Sequence, residues 1–111
     1  MSPTSGRTGE RAAETHARIE REIVREKAVT LGRAGERLEA ALGEVAALAA
    51  AWRAAAARDD AERARLAADY EHAWRAAETA RQTLLIQREA VGLRHHRDVD
   101  QQFPRPARRL A

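Results

Sequence analysis

Val24, Leu31, Leu38, Val45 and Trp52 recur every seven residues. An apolar spacing of seven, held over so many turns, is the mark of an α-helix with one face committed to a neighbour. Ala34, Ala41, Leu48 and Ala55 follow the last four of these positions at three residues, and Leu42, Ala49 and Ala56 widen the seam into the stripe of a core-facing helix. Between Glu10 and Ala57 neither proline nor a turn cluster intervenes and strong helix formers dominate. The pattern predicts one very long helix, or two in line. Residues 1–9 carry Pro, Gly, Ser and Thr without apolar pattern, so they are expected to be a disordered leader.

Arg58-Asp59-Asp60 marks the next break, because Asp caps helix N-termini well and the apolar register restarts after it. The second stripe is Leu66, Tyr70, Ala73, Ala77, Ala80, Leu84 and Val91, ending at Gly92, a candidate left-handed C-cap. Two helices joined by so short a turn predict an antiparallel hairpin whose facing positions sum to about 117. That register sets Trp52 against Leu66, Leu48 against Tyr70, Val45 against Ala73, Ala41 against Ala77 and Leu38 against Ala80. Large residues mostly meet small ones, which lets alanine-rich helices approach without voids. A short third helix is expected from about His96 to Gln102, with Leu93, Val99 and Phe103 as anchors, folding back beside Ile19, Ile23 and Val24. The reading is therefore all-α: a hairpin domain over 10–103 and a Pro/Arg-rich tail over 104–111.

A hairpin buries one stripe, yet Trp74, Leu85 and Ile86 lie off it. Burying each would contribute about 1.5–3 kcal/mol, a large gain for a thin chain of 111 residues. A homodimer, most simply two hairpins in a four-helix arrangement, follows as an expectation. Gly32, Gly35 and Gly43 interrupt the first helix, each costing about 1 kcal/mol relative to Ala. They mark either a close approach of another backbone or a kink at Gly32. The candidate interface is Gly32, Gly35, Trp74, Leu85 and Ile86.

Chemistry is harder to find. Cysteine is absent, which removes disulfides, thiolate metal sites and cysteine nucleophiles. Asp69-Tyr70-Glu71-His72 places a carboxylate and a histidine three apart, as in di-iron bundles. With Leu66, Tyr70, Ala73 and Ala77 inward, however, Asp69 sits at the edge and His72 points out, and no second copy of the element exists. His95 and His96 are adjacent, so on a helix they diverge by about 100°; capping of the preceding helix through its dipole is the simpler role. No phosphate loop or Ser-His-Asp order is present. No catalytic, cofactor-binding or metal residue is assigned. Polar residues do fall on both stripes at the open end of the hairpin, so Glu20, Lys27, Gln87, Arg88 and Arg94 form a candidate polar cluster. Such a network specifies register or, alternatively, lines a ligand pocket.

The sequence pI near 10.5 invites a nucleic-acid reading, and the position of the net charge of +3 decides its weight. Glu10 to Glu39 holds seven acidic and seven basic residues, and Ala40 to Gln87 seven and six. The excess lies in Arg7 and after Gln87, where six arginines meet three acids. No continuous basic face results, so nucleic acid is not an expected partner except weakly through Arg105, Arg108 and Arg109. No apolar run suits a signal peptide or a bilayer span, giving an expected cytoplasmic location without a membrane partner.

Leu31-Gly32-Arg33-Ala34-Gly35 with Leu38 and Leu42, together with Gln87-Arg88-Glu89-Ala90-Val91-Gly92-Leu93-Arg94, resembles a group of short bacterial helical proteins catalogued as a domain of unknown function. The resemblance spans roughly Ile19 to Leu110 and implies a recurring helical module without catalytic residues. Periodicity and apolar surplus without chemistry point to a structural or protein-interaction module that acts as a homodimer and docks a further protein. The alternatives are a small all-α enzyme or ligand binder with its site at the polar open end, and weak nucleic-acid binding by the tail.

Overall fold

The computed structural model describes residues 4–55 and 58–111, with side chains from residue 8 onward. It contains α1 (Thr4–Ala55), α2 (Asp60–Ala90) and α3 (Arg97–Gln102), with no strand among the described residues. Of the leader expected over 1–9, residues 1–3 lie outside the described residues, while 4–9 belong to α1. Each residue added to an existing helix gains a hydrogen bond at little further cost, so weak formers such as Thr8 and Gly9 join it. The helix also runs through Gly32. The chain divides into two units, Met1–Thr30 and Leu31–Ala111.

In the first unit the described side chains are exposed apart from half-buried Ala17. Ile19, Ile23, Val24 and Val29 are 49, 45, 67 and 48 % exposed.

The second unit holds the core. Asp59 caps α2: its φ of −157° is extended backbone, and its Oδ1 accepts from the amides of Ala61 at 2.9 Å and Glu62 at 3.2 Å. Asp60 and Glu62 add negative charge in the first turn, where the helix dipole favours it. At the other end, Gly92 takes φ +93°. Its amide donates to Glu89 O and that of Leu93 to Arg88 O, both at 3.0 Å. This is the paired closure of a Schellman motif, for which glycine lacks the Cβ that would clash.

Between these caps the second half of α1 lies antiparallel to α2. Val45, Ala49, Tyr70, Ala73 and Ala77 form one buried cluster, with Ala41, Leu42, Leu48, Trp74 and Leu110 packed around it. Ala34, Leu38, Leu84 and Val99 form another, flanked by Leu31, Ala80, Leu85 and Phe103. The expected facing pairs Val45/Ala73 and Leu38/Ala80 each share a cluster. Leu38 and Val45, almost wholly buried, each contribute about 1.5–3 kcal/mol. Near the turn the Arg63 guanidinium stacks on Trp52 at 3.7 Å from the ring centroid.

The short third helix forms one residue later than expected, and its location is different. Val99 is buried with Ala34, Leu38 and Leu84, not beside Ile19, Ile23 and Val24. After the Gly92 reversal the chain returns over the hairpin, where two helices already offer a cleft. A single helix face offers Val99 far fewer apolar neighbours.

The return continues to the C-terminus. Residues 103–111 run back along α2, so that Phe103 meets Arg81, Pro106 meets Trp74 and Ala107 meets Tyr70. Leu110 ends the path against the first cluster. The segment read from sequence as a Pro/Arg-rich tail is the third layer of this unit.

Candidate functional site

Three polar clamps hold the returning chain on α2. In the first, Arg88 donates from Nε to His96 Nδ1 at 3.2 Å and from Nη2 to His95 O at 3.1 Å and both Asp98 carboxylate oxygens at 2.9 and 3.0 Å. A bond received at Nδ1 leaves the imidazole proton on Nε2, which lies 3.1 Å from Glu89 Oε1. Arg88 thus gathers the turn between α2 and α3.

In the second clamp, Arg81 is only 1 % exposed. Its Nη2 donates to Phe103 O at 2.6 Å and its Nη1 to Asp100 Oδ1 at 3.4 Å. Its Nε makes no hydrogen bond but stands 3.9 Å from Glu78 Oε1, a carboxylate that also pairs with Arg105 at 3.4 Å. Sequence reasoning assigned Arg81 no role. The available signal was its place on the second stripe, four residues after Ala77 and three before Leu84.

In the third clamp, Glu71 accepts from Arg75 at 2.9 Å and bidentately from Arg108, whose Nη2 is 2.6 Å from Oε1. The Arg108 hydrogen bonds, followed by that from Arg75, hold the Glu71 carboxyl down at about 2, and Glu71 in turn raises Arg108. The Arg108 guanidinium also covers Trp74 at 4.4 Å. Trp74 Nε1 donates to Pro106 O at 3.3 Å, and Tyr70 donates its hydroxyl to Ala107 O.

These clamps place the residues picked out by sequence. Of the polar cluster, Gln87, Arg88 and Arg94 belong to the second unit, where Gln87 is half-buried, Arg94 exposed and Arg88 occupied with Asp98 and His96. Glu20 and Lys27 belong to the first unit, both exposed, and Glu20 pairs with His16 at 2.9 Å one turn away. Of the candidate interface, Trp74 and Leu85 are already partly covered within the chain, by the C-terminal segment and the second cluster respectively. Ile86 is 56 % exposed. A Cβ at Gly32 or Gly35 would meet nothing within 4 Å, so among the described residues no second backbone passes within that distance of either. Both glycines line a shallow groove with Leu31, Leu84, Val99 and Phe103.

Among the described residues, no group of three or more His, Asp or Glu could hold a metal ion, and no helix is long and apolar enough to cross a membrane. Compared with known proteins, the chain matches no family model, no curated protein and no solved structure.

Proposed function

We propose that the protein is a helical interaction module that acts as a homodimer, with the N-terminal part of α1 as its binding element. The observation that supports this reading is the exposure of Ile19, Ile23, Val24 and Val29, which are all about half exposed or more on one stretch of helix. Ile19 and Ile23 stand one turn apart with Val24 beside Ile23, and removing such apolar side chains from water stabilises an association, so this segment gains from a helical partner. In the second unit Arg81, Arg88 and Arg108 are engaged in fastening the chain that follows α2. Arg105 and Arg108, two of the tail arginines, direct their charge to Glu78 and Glu71.

The experiment is light scattering coupled to size exclusion across a concentration series, on the full chain and on Ile23→Asp. A dimer that Ile23→Asp converts to monomer, with helix content by circular dichroism retained, is the expected result. A chain that remains monomeric at high micromolar concentration overturns the homodimer, and a dimer indifferent to Ile23→Asp overturns the assignment of its binding element.

A further inference from the structure

Residues 20–27 read Glu-Arg-Glu-Ile-Val-Arg-Glu-Lys, and this stretch of α1 has an unusual symmetry. Read backwards, every charge recurs with its sign inverted: Glu20 answers Lys27, Arg21 answers Glu26, Glu22 answers Arg25, and the centre is Ile23 against Val24. All eight side chains are exposed.

On a helix, Glu20, Ile23, Val24 and Lys27 share one face by their three- and four-residue spacing, while Arg21 and Glu26 flank it on opposite sides. If two copies of this face meet in parallel, each residue lies opposite its own kind, and Glu20 meets Glu20 and Lys27 meets Lys27. If they meet antiparallel about a two-fold axis between Ile23 and Val24, Glu20 of each copy lies opposite Lys27 of the other. Ile23 then packs against Val24 at the centre, while Arg21 and Glu26 stay on opposite flanks of the pair. A two-fold interface is self-complementary by necessity, residue i meeting j and j meeting i. On the meeting face the inverted order of Glu20 and Lys27 satisfies that condition with opposite charges.

We propose that the partner of this segment is a second copy of the same chain, docked antiparallel with Ile23 and Val24 at the two-fold axis and reciprocal Glu20–Lys27 ion pairs on either side. This rests on the homodimer reading above and specifies its surface, direction and register. Charged positions at the edge of a helical seam set partner choice and orientation. On this account the ion pairs select the antiparallel register, and the apolar centre holds it.

The test uses full-length Glu20→Lys, Lys27→Glu and the double variant, measured by sedimentation equilibrium, with circular dichroism as the control for folding. Each single change places like charges opposite one another on both sides of the axis, and the dimer should weaken by about tenfold or more. The double change restores opposite charges and should restore the dimer. An equimolar mixture of the two single variants should form a heterodimer that neither forms alone. In that mixed pair, position 20 of each copy meets a charge of opposite sign at position 27 of the other.

Direction is read separately. The chain has no cysteine, so spin labels on Ala13→Cys report one distance. Antiparallel pairing about the proposed axis separates the two labels by about 30 Å along the helices at 1.5 Å per residue, whereas parallel pairing leaves them about 10 Å apart. A dimer unaffected by either single change, or one with the short label distance, overturns this docking while leaving the homodimer standing. Absence of any dimer in the unmodified chain overturns both.

Discussion

The buried guanidinium of Arg81 donates to the carbonyl of Phe103 at 2.6 Å, tying the middle of α2 to the residue that closes α3. Helix C-termini leave carbonyls without intrahelical donors, and this one is supplied by a charge set into the core stripe between Ala77 and Leu84. The bond fixes where α3 ends, and hence where the last residues begin their course along α2.

Arg81→Ala should therefore destabilise the protein by about 2–4 kcal/mol, because it removes charge-assisted bonds, orphans a carbonyl and leaves a void. Arg81→Lys keeps the charge but lacks the planar fork, and should recover less than half of the loss. Urea unfolding followed by circular dichroism measures both. A cost below about 0.5 kcal/mol for the alanine variant would show that Arg81 does not anchor α3.

Glu71 makes the docking of the C-terminal segment sensitive to acid. Its carboxyl ionises at about 2, below the ordinary value of 4.5, chiefly because of the hydrogen bonds from Arg108. The folded state thus binds the proton less readily than the unfolded one. The contribution is fully present above 4.5 and is lost as pH falls towards about 2. In a Trp52→Phe background, Trp74 emission should shift to the red across that window as Arg108 and Pro106 leave the ring. Glu71→Gln should show part of the shift already at neutral pH, and its difference from the parent should vanish at the acid end. A difference that persists there would separate Trp74 exposure from Glu71 ionisation.

Gly92→Ala should cost about 1–2 kcal/mol although a Cβ would meet nothing within 4 Å, since the penalty comes from φ +93° and not from crowding. Gly92→Asn should cost less, because asparagine tolerates the left-handed region better than alanine. Thermal denaturation of the three proteins gives the order, and an alanine variant as stable as the parent would contradict the Schellman closure.

Asp59→Ala removes the acceptor of two first-turn amides and should destabilise by about 1 kcal/mol, with Asp59→Ser retaining most of the stability. Hydrogen exchange at Ala61 and Glu62 is the local check. Protection there should fall in the alanine variant and persist in the serine variant.

Much of this architecture is legible in the order of residues, because it depends on interactions within a few positions. The seven-residue recurrence of Leu31, Leu38, Val45 and Trp52 predicts the first helix, Asp59 its successor's start, and Gly92 that successor's end. The two stripes and the register of the short turn then predict which faces meet. The helix reaches further towards the N-terminus than the composition of residues 4–9 predicts, since propagation outweighs weak local preference. The candidate site is legible only in part. Arg88 stands out as a polar residue at the open end, but its partners Asp98 and His96 lie beyond a chain reversal whose direction no periodicity encodes.

Tertiary structure alone decided the course of residues 97–111. An arginine on an apolar stripe, a tryptophan off it and a Pro/Arg-rich ending have no common spacing, so local rules treat Arg81, Trp74 and Arg108 as unrelated. They belong together because irregular chain returning along α2 brings backbone carbonyls and a guanidinium within bonding distance of a helix face. That is a matter of long-range complementarity: local residue order sets the helices and their caps, and contacts between distant polar groups set what covers them.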